Sequence, residues 1–319
     1  MRKLTLYIAL LGIFFLGTLG TYAQERPQWV EASFSNDIFN VVNQTDQYYS
    51  NGLNLSLSFA GIEKSPVRYI LLFGRSQSSQ HFLSLRQDMY TPSDLYTTDV
   101  ILGDRPYAST LQMVEGARYI EEDSRLYIES EFSIGYLGKS SGGEFIQNFV
   151  HSLTPHSDSV YGWENQISSD LILQYNAELE YGLVTTPYVN WYGTARGEVG
   201  TLSDAFYGGT GIALGWFRNP YKSADRWLGD SWGLQAYGQA TAGFSFYNAT
   251  LQGGAFSKPI GQYIVRESII NPERYSTELG IRASYKNAEI HLGRVWNNSE
   301  FEGAENHAWG YFKFRWLIP

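Results

Sequence analysis

The chain has no cysteine among its 319 residues, so disulfides and thiolate metal sites are both excluded, and any metal must take oxygen or imidazole ligands. Beyond the first two dozen residues there is no apolar run approaching the ~20 residues that a membrane-crossing helix needs. That absence excludes a helical membrane protein. Basic residues are scarce as well: 23 Lys and Arg stand against 32 Asp and Glu, a balance that excludes the basic patch through which proteins bind nucleic acid. No internal repeat or low-complexity linker interrupts the sequence, so a single domain is the simplest organisation.

What is present begins with a targeting segment. Arg2 and Lys3 precede an apolar run from Leu4 to Leu16, and Thr21-Tyr22-Ala23 ends in small-residue cleavage chemistry. The pattern predicts a signal peptide over residues 1–23 and a mature domain over 24–319, because an apolar core of about a dozen residues is too short to stay behind as a membrane span. Losing Arg2 and Lys3 takes the formal charge from −9 down by two, to −11. The exported chain is therefore acidic, and it is also rich in aromatics, at 16% of residues, with 32 glycines. Aromatic girdles flanking a lipid-facing band, and tight turns between strands, account for both.

Alternation supports the same architecture. Leu53, Leu55, Leu57 and Phe59 form one face of a run whose other face is Asn54, Ser56 and Ser58. Over residues 126–136, Ile128, Phe132 and Ile134 alternate with Tyr127, Glu129, Glu131 and Ser133. Two acidic residues on one strand face need water or a polar interior. Further runs are read at 29–34, 171–181, 184–192, 207–216, 234–246, 275–285 and 288–296, and in the last run Phe312, Phe314, Trp316 and Ile318 face out while Tyr311, Lys313 and Arg315 face in. The spacing predicts an all-β fold, a transmembrane antiparallel β-barrel of twelve strands, in preference to a soluble sandwich or barrel with the same short strands. Its location would be the bacterial outer membrane, as a monomer. Longer loops are expected at 89–106, 138–168 and 247–272.

One loop carries the clearest helix. Gly142-Gly143 precedes a run from Glu144 to His151, and Pro155 follows. Gln147 and His151, four apart, share a face and could reach one substrate group, while Phe145 and Phe149 lie on another face, where they could pack the helix against a wall. His151 is the best general-base candidate among the five histidines, because neutral imidazole accepts a proton near physiological pH; His156 is its rival. His81, His291 and His307 fall in or beside strands, where lumen or interface roles are expected. Asn36-Asp37 pairs an amide with a carboxylate, a set of oxygen donors suited to a hard cation such as calcium, although turn chemistry explains the same residues. Ser50-Asn51-Gly52 reads as a turn on its own.

Taken in order, Asn36-Asp37, the segment from Thr45 to Leu53, Gln87-Asp88-Met89-Tyr90-Thr91-Pro92, Gly103-Asp104-Arg105-Pro106-Tyr107-Ala108, Gly142-Gly143 with Gln147-Asn148 and His151, and Trp163-Glu164-Asn165-Gln166-Ile167 resemble the lipid A deacylase family of outer-membrane proteins, of the lipid A 3′-O-deacylase type. The specific motifs lie before about residue 185; beyond it the likeness is one of strand pattern. The resemblance implies a twelve-stranded barrel with its active site between barrel and membrane near the outer leaflet, and calcium-dependent hydrolysis of the 3′ acyloxyacyl ester of lipid A, the lipid portion of lipopolysaccharide. It implies that His151 activates water, that Asn36 and Asp37 hold Ca2+ and help form the oxyanion site, that Gln147 supports the site, and that Ser50 stands where the best-known member has threonine.

Two departures qualify the implied substrate. Where the family type has a loop lysine that contacts a lipid A phosphate, this chain has Thr97 and its neighbours, with no Lys or Arg until Arg105. An acidic residue that follows the family's histidine has Asp158 as its nearest equivalent. Two other functions remain open at this level: a non-catalytic barrel of the same family serving as scaffold or pore, and an outer-membrane phospholipase.

Overall fold

A computed structural model describes residues 28–36, 47–153, 160–222, 229–257 and 263–318, with residues 150–153 and 229–231 described by their backbone alone. Twelve antiparallel strands close into a barrel: β1 (Gln28–Asn36), β2 (Tyr48–Ser58), β3 (Ser79–Thr91), β4 (Ala108–Glu121), β5 (Leu126–Leu137), β6 (Asp170–Thr185), β7 (Val189–Gly200), β8 (Ser203–Trp216), β9 (Gly229–Asn248), β10 (Glu273–Lys286), β11 (Ala288–Asn297) and β12 (His307–Ile318). Each strand pairs with its sequence neighbours, and β1 closes on β12 from Gln28 opposite Ile318 to Asn36 opposite Gly310. Closure leaves no open sheet edge, the condition for strands to cross a bilayer. The twelve-strand expectation is met.

Period-two alternation sorts the side chains. Outward positions such as Ile212, Leu214, Leu234, Leu279, Ile281, Leu292 and Phe312 are exposed, as a lipid-facing band requires. Inward positions are polar and paired: Arg86 grips Glu131 through two hydrogen bonds of 2.9 and 3.2 Å, Arg118 meets Glu129 at 2.6 Å, and Arg315 Nε donates to Glu31 at 2.8 Å. Pairing of this kind offsets the cost of holding charges away from bulk water. The acidic faces read from the sequence thus line the lumen, which keeps a cavity of about 470 Å³ among Arg86, Asp88, Glu131, Arg196, Glu278 and Lys313.

Three strand expectations need correction. The run read at 184–192 straddles a turn, because β6 extends to Thr185 and β7 starts at Val189, where Thr186 Oγ1 accepts from the Val189 amide at 2.9 Å. Asn51-Gly52 lies inside β2 rather than in a turn. The loop expected from residue 89 begins only after Thr91, and neither β3 nor β4 stands out by apolar alternation. Outward positions in those strands include His81, Gln87, Thr91, Ser109 and Glu115, polar because protein rather than lipid covers them, as the contacts below show.

Candidate active site on the outer wall

The covered patch near one end of the barrel holds the predicted residues. Asn36 ends β1 and pairs across the sheet with Asn51 of β2, which pairs in turn with Met89 of β3, itself opposite Ser109 of β4. All four side chains belong to the outer face, in the same alternation as exposed Val30, Leu53 and Met113. Register shifts between Tyr49 and Asn51. This β-bulge places Ser50 as an extra residue, and bulges of this kind re-aim side chains beside functional sites. Asn36 Nδ2 donates to the Ser50 carbonyl oxygen at 2.8 Å, while the buried Ser50 hydroxyl shares a short hydrogen bond with the Thr91 hydroxyl. Two of the predicted residues, on neighbouring strands, are therefore in direct contact.

The lid of this patch is the segment after β5. A 3-10 turn, Gly138–Ser141, leads into helix α1 (Gly143–Leu153), the helix expected from the sequence. Gln87 Nε2 donates to the Ser141 carbonyl at 3.0 Å, and the Ser141 and Ser109 hydroxyls share a short hydrogen bond, so the start of the helix is tied to the outward faces of β3 and β4. Gly143 is required there: a Cβ would come within 2.4 Å of Ser109. Ile146 of α1 packs on a buried cluster of Met89, Leu95, Tyr107, Val160 and Trp163. Trp163 Nε1 donates to Gln147 Oε1 at 2.7 Å, which fixes that buried amide.

Gln147 is thus held by Trp163, which packs with Met89 of the wall, and His151 follows one helical turn later on the same face of the backbone. The side chain of His151, together with Asp37, His156 and Asp158, lies outside the described residues. Phe145 and Phe149 are about half exposed and stack on each other at 6.3 Å. Thr97 sits in the neighbouring loop, where its hydroxyl accepts from the Asp99 amide at 3.1 Å. Gln87, Thr91, Ser109 and Trp163 had no assigned role in the sequence reading. For Gln87, Thr91 and Ser109 the signal is polarity at outward positions of strands that otherwise face lipid; Trp163 lies in a 3-10 turn and carries no such mark.

Loops also pack on the strand ends near the site. Arg105 is buried, donates to Thr250 Oγ1 at 2.6 Å from the loop before β4, pairs with Glu300, and lies 4.3 Å from the Tyr90 ring centroid. Burial pushes its guanidinium down to about 10, which leaves it charged near neutral pH. The short helix α2 (Ala249–Gln252) joins Ala108, Leu137, Ile167 and Ile172 in an apolar cap across the lumen.

A closed twelve-stranded barrel with a lipid-facing band and a polar, covered patch on its outer wall defines an integral outer-membrane protein. The sequence matches the family of outer membrane protein LpxR over residues 6–318, and the chain belongs to that family. Among solved structures it is similar to LpxR from Salmonella typhimurium, with a TM-score of 0.73 and 18% identity, covering 91% of this chain and 100% of that one. Weaker likenesses, with TM-scores of 0.42 and 0.43, are to the β domain of the Bordetella autotransporter BrkA (11% identity; 91% of this chain, 98% of that one) and the translocator domain of NalP from Neisseria meningitidis (10%; 99% and 98%). No curated protein matches the chain.

Proposed function

We propose that this protein is a lipid A deacylase, an ester hydrolase that removes an acyl chain from lipid A at the 3′ position. The observation that carries the proposal is the packing of α1, with Gln147 anchored on it, against the outward faces of β3 and β4, on the same outer wall that carries Asn36 and Ser50. A site on the outer wall meets a lipid from the side. An apolar cluster of strand-end and loop residues packs inside one mouth of the barrel, which argues against a wide pore.

In this reading His151 takes a proton from water as it attacks the ester carbonyl, then returns one to the departing alkoxide. Gln147 is locked by Trp163 and orients the reacting groups. Asn36, whose amide nitrogen donates to the Ser50 carbonyl, would offer its amide oxygen, and Asp37, next in the sequence, its carboxylate. The donor set of Asn36 and Asp37 is oxygen only, which fits Ca2+. Such an ion supplies positive charge for the oxyanion that develops in acyl transfer. Ser50 lines the pocket. Lys139, exposed in the turn just before α1, supplies a cation on this face where the family's loop lysine is missing. A phosphorylated lipid A therefore remains within reach.

The test is mass spectrometry of lipid A incubated with the folded protein and calcium. Loss of one acyl chain is expected, with His151→Ala and Asp37→Ala lowering the rate by roughly a hundredfold or more and a chelator abolishing it. An unchanged acyl count with folded, calcium-supplied protein would sink the proposal. Fatty acid released from phosphatidylethanolamine, with lipid A untouched, would make the protein a phospholipase instead.

A further inference from the structure

The connection between β2 and β3 is anomalous. It lies at the end of the barrel that carries both chain ends, which in barrels of this class is the periplasmic end with short turns. Three of the other four connections there are residues 122–125, 186–188 and the single Asn287, whereas this one runs over 59–78 with 3-10 turns at Ile62–Lys64 and Pro66–Tyr69. It folds back along the outer wall. Ser65 Oγ donates to Glu115 Oε2 at 2.8 Å, the Leu72 amide donates to the Tyr175 hydroxyl at 3.3 Å, and His81 Nε2 lies 2.9 Å from the Gly74 carbonyl oxygen. Phe73 stacks on Tyr119 with ring centroids 4.3 Å apart.

Glu115 and Tyr119 are on the same face of β4 as exposed Met113, and Tyr175 is on the same face of β6 as Leu171 and Leu179. The strap therefore lies where lipid would otherwise touch the barrel. Phe73 holds φ at +53°, unusual for a bulky side chain, and Ser79 Oγ fixes its carbonyl at 2.7 Å. Leu71 and Ile62 are buried beneath the strap, while Tyr69, Ile70, Leu72 and Phe73 remain exposed on its outer side.

Two guanidinium groups flank this apolar surface. Arg68 and Arg75 lie 4.9 and 5.6 Å from the centroid of the same Tyr69 ring. Arg68 donates to the Glu63 carbonyl and to the Tyr69 hydroxyl, each at 3.0 Å, and its Nε is buried without an acceptor. Among the described residues neither guanidinium pairs with a carboxylate. Unpaired arginine beside aromatic and aliphatic side chains, at the membrane interface, is the chemistry that captures a lipid phosphate.

We propose that the strap is a binding site for one phospholipid of the periplasmic leaflet. Its phosphodiester sits between Arg68 and Arg75, and its acyl chains run along Ile70, Leu72 and Phe73 toward the Met113 wall. Lipid is the occupant because the apolar surface is continuous with the lipid-facing band and the two cations sit at its edge. The site is separate from the outer-wall patch that carries the proposed chemistry, so it stands or falls independently of the deacylase reading.

Native mass spectrometry of the full-length protein, released from mixed micelles containing phosphatidylglycerol, tests it. The wild type should retain one phospholipid, and Arg68→Gln with Arg75→Gln should reduce occupancy roughly tenfold. Arg75→Gln alone breaks no hydrogen bond among the described residues, so it keeps the fold and should still lower occupancy severalfold; Arg75→Lys should retain most of it. Equal occupancy in wild type and Arg75→Gln overturns the proposal. So does displacement of the lipid by millimolar inorganic phosphate, which would make this an anion site with no lipid preference.

Discussion

Ser50 separates two mechanisms at the level of one residue. A serine nucleophile needs a base to take its proton, but the Ser50 hydroxyl is bonded to the hydroxyl of Thr91, a neutral group that cannot hold that proton. Removing a lining hydroxyl costs about 1 kcal/mol, or roughly fivefold in rate. Ser50→Ala should therefore lower kcat by about that factor, and Ser50→Thr should act like the wild type; a loss beyond about a thousandfold would make Ser50 the nucleophile. Trp163 gives a second test. Trp163→Phe keeps a ring in the cluster with Met89 and Tyr107 but removes the donor to Gln147. If Gln147 positions the reacting groups, kcat should fall about tenfold while the thermal midpoint moves little and KM stays near the wild-type value. Unchanged kcat would reduce Gln147 to a packing role.

At the scale of elements, the working unit is α1 on the wall of β3 and β4. Gly143→Val would drive a side chain into Ser109, where even a Cβ comes within 2.4 Å, and the helix must lift. Deacylation should drop by at least tenfold, while the barrel keeps its folded gel mobility. A fully active Gly143→Val protein would show that the contact is not needed. The exposed Phe145 and Phe149 pair makes a different prediction. Phe145→Asp with Phe149→Asp should slow hydrolysis of lipid A in vesicles and leave detergent-dispersed substrate nearly unaffected, since only the bilayer requires the helix to sit among acyl chains.

The same elements show what the sequence could reveal. Strands with lipid outside and lumen inside, such as β5 and β12, follow the alternation closely. The helix is visible from its Gly-Gly start and its i, i+4 pattern. β3 and β4 are obscured because the strap and α1 cover their outward positions, so His81, Gln87, Thr91, Ser109 and Glu115 replace apolar residues there. The Ser50 bulge leaves no local mark either, because its extra residue is defined only by pairing with β3. Asn36 and Ser50 are fourteen residues apart in sequence, and it was the ordered resemblance to a family, rather than spacing, that joined them. Polarity on the lipid side of a barrel strand is the signal to seek.

On the scale of the whole molecule, among the described residues an ionic network stands at each end of the barrel. At the end near the chain termini, Trp29 lies between Arg118 and Arg315, whose guanidinium carbons are 4.6 and 5.2 Å from its ring, and Glu31 pairs with Arg315. At the other end Arg105 ties the loop before β4 to Thr250 and Glu300 under the apolar cap. Both plugs are buried ionic networks, in which losing one partner strands the other. Glu31→Ala would leave Arg315 only Glu289, at 3.9 Å, and should destabilise the barrel by about 3 kcal/mol, read as a lower urea midpoint for unfolding from lipid vesicles. Because the cap does not depend on Glu31, the variant should pass no more ionic current across a planar bilayer than the wild type, and neither should conduct. A stable open-channel current in Glu31→Ala would mean that the base alone seals the lumen. Current in the wild type would return the pore to consideration and weaken the case that all of the chemistry lies on the outer wall.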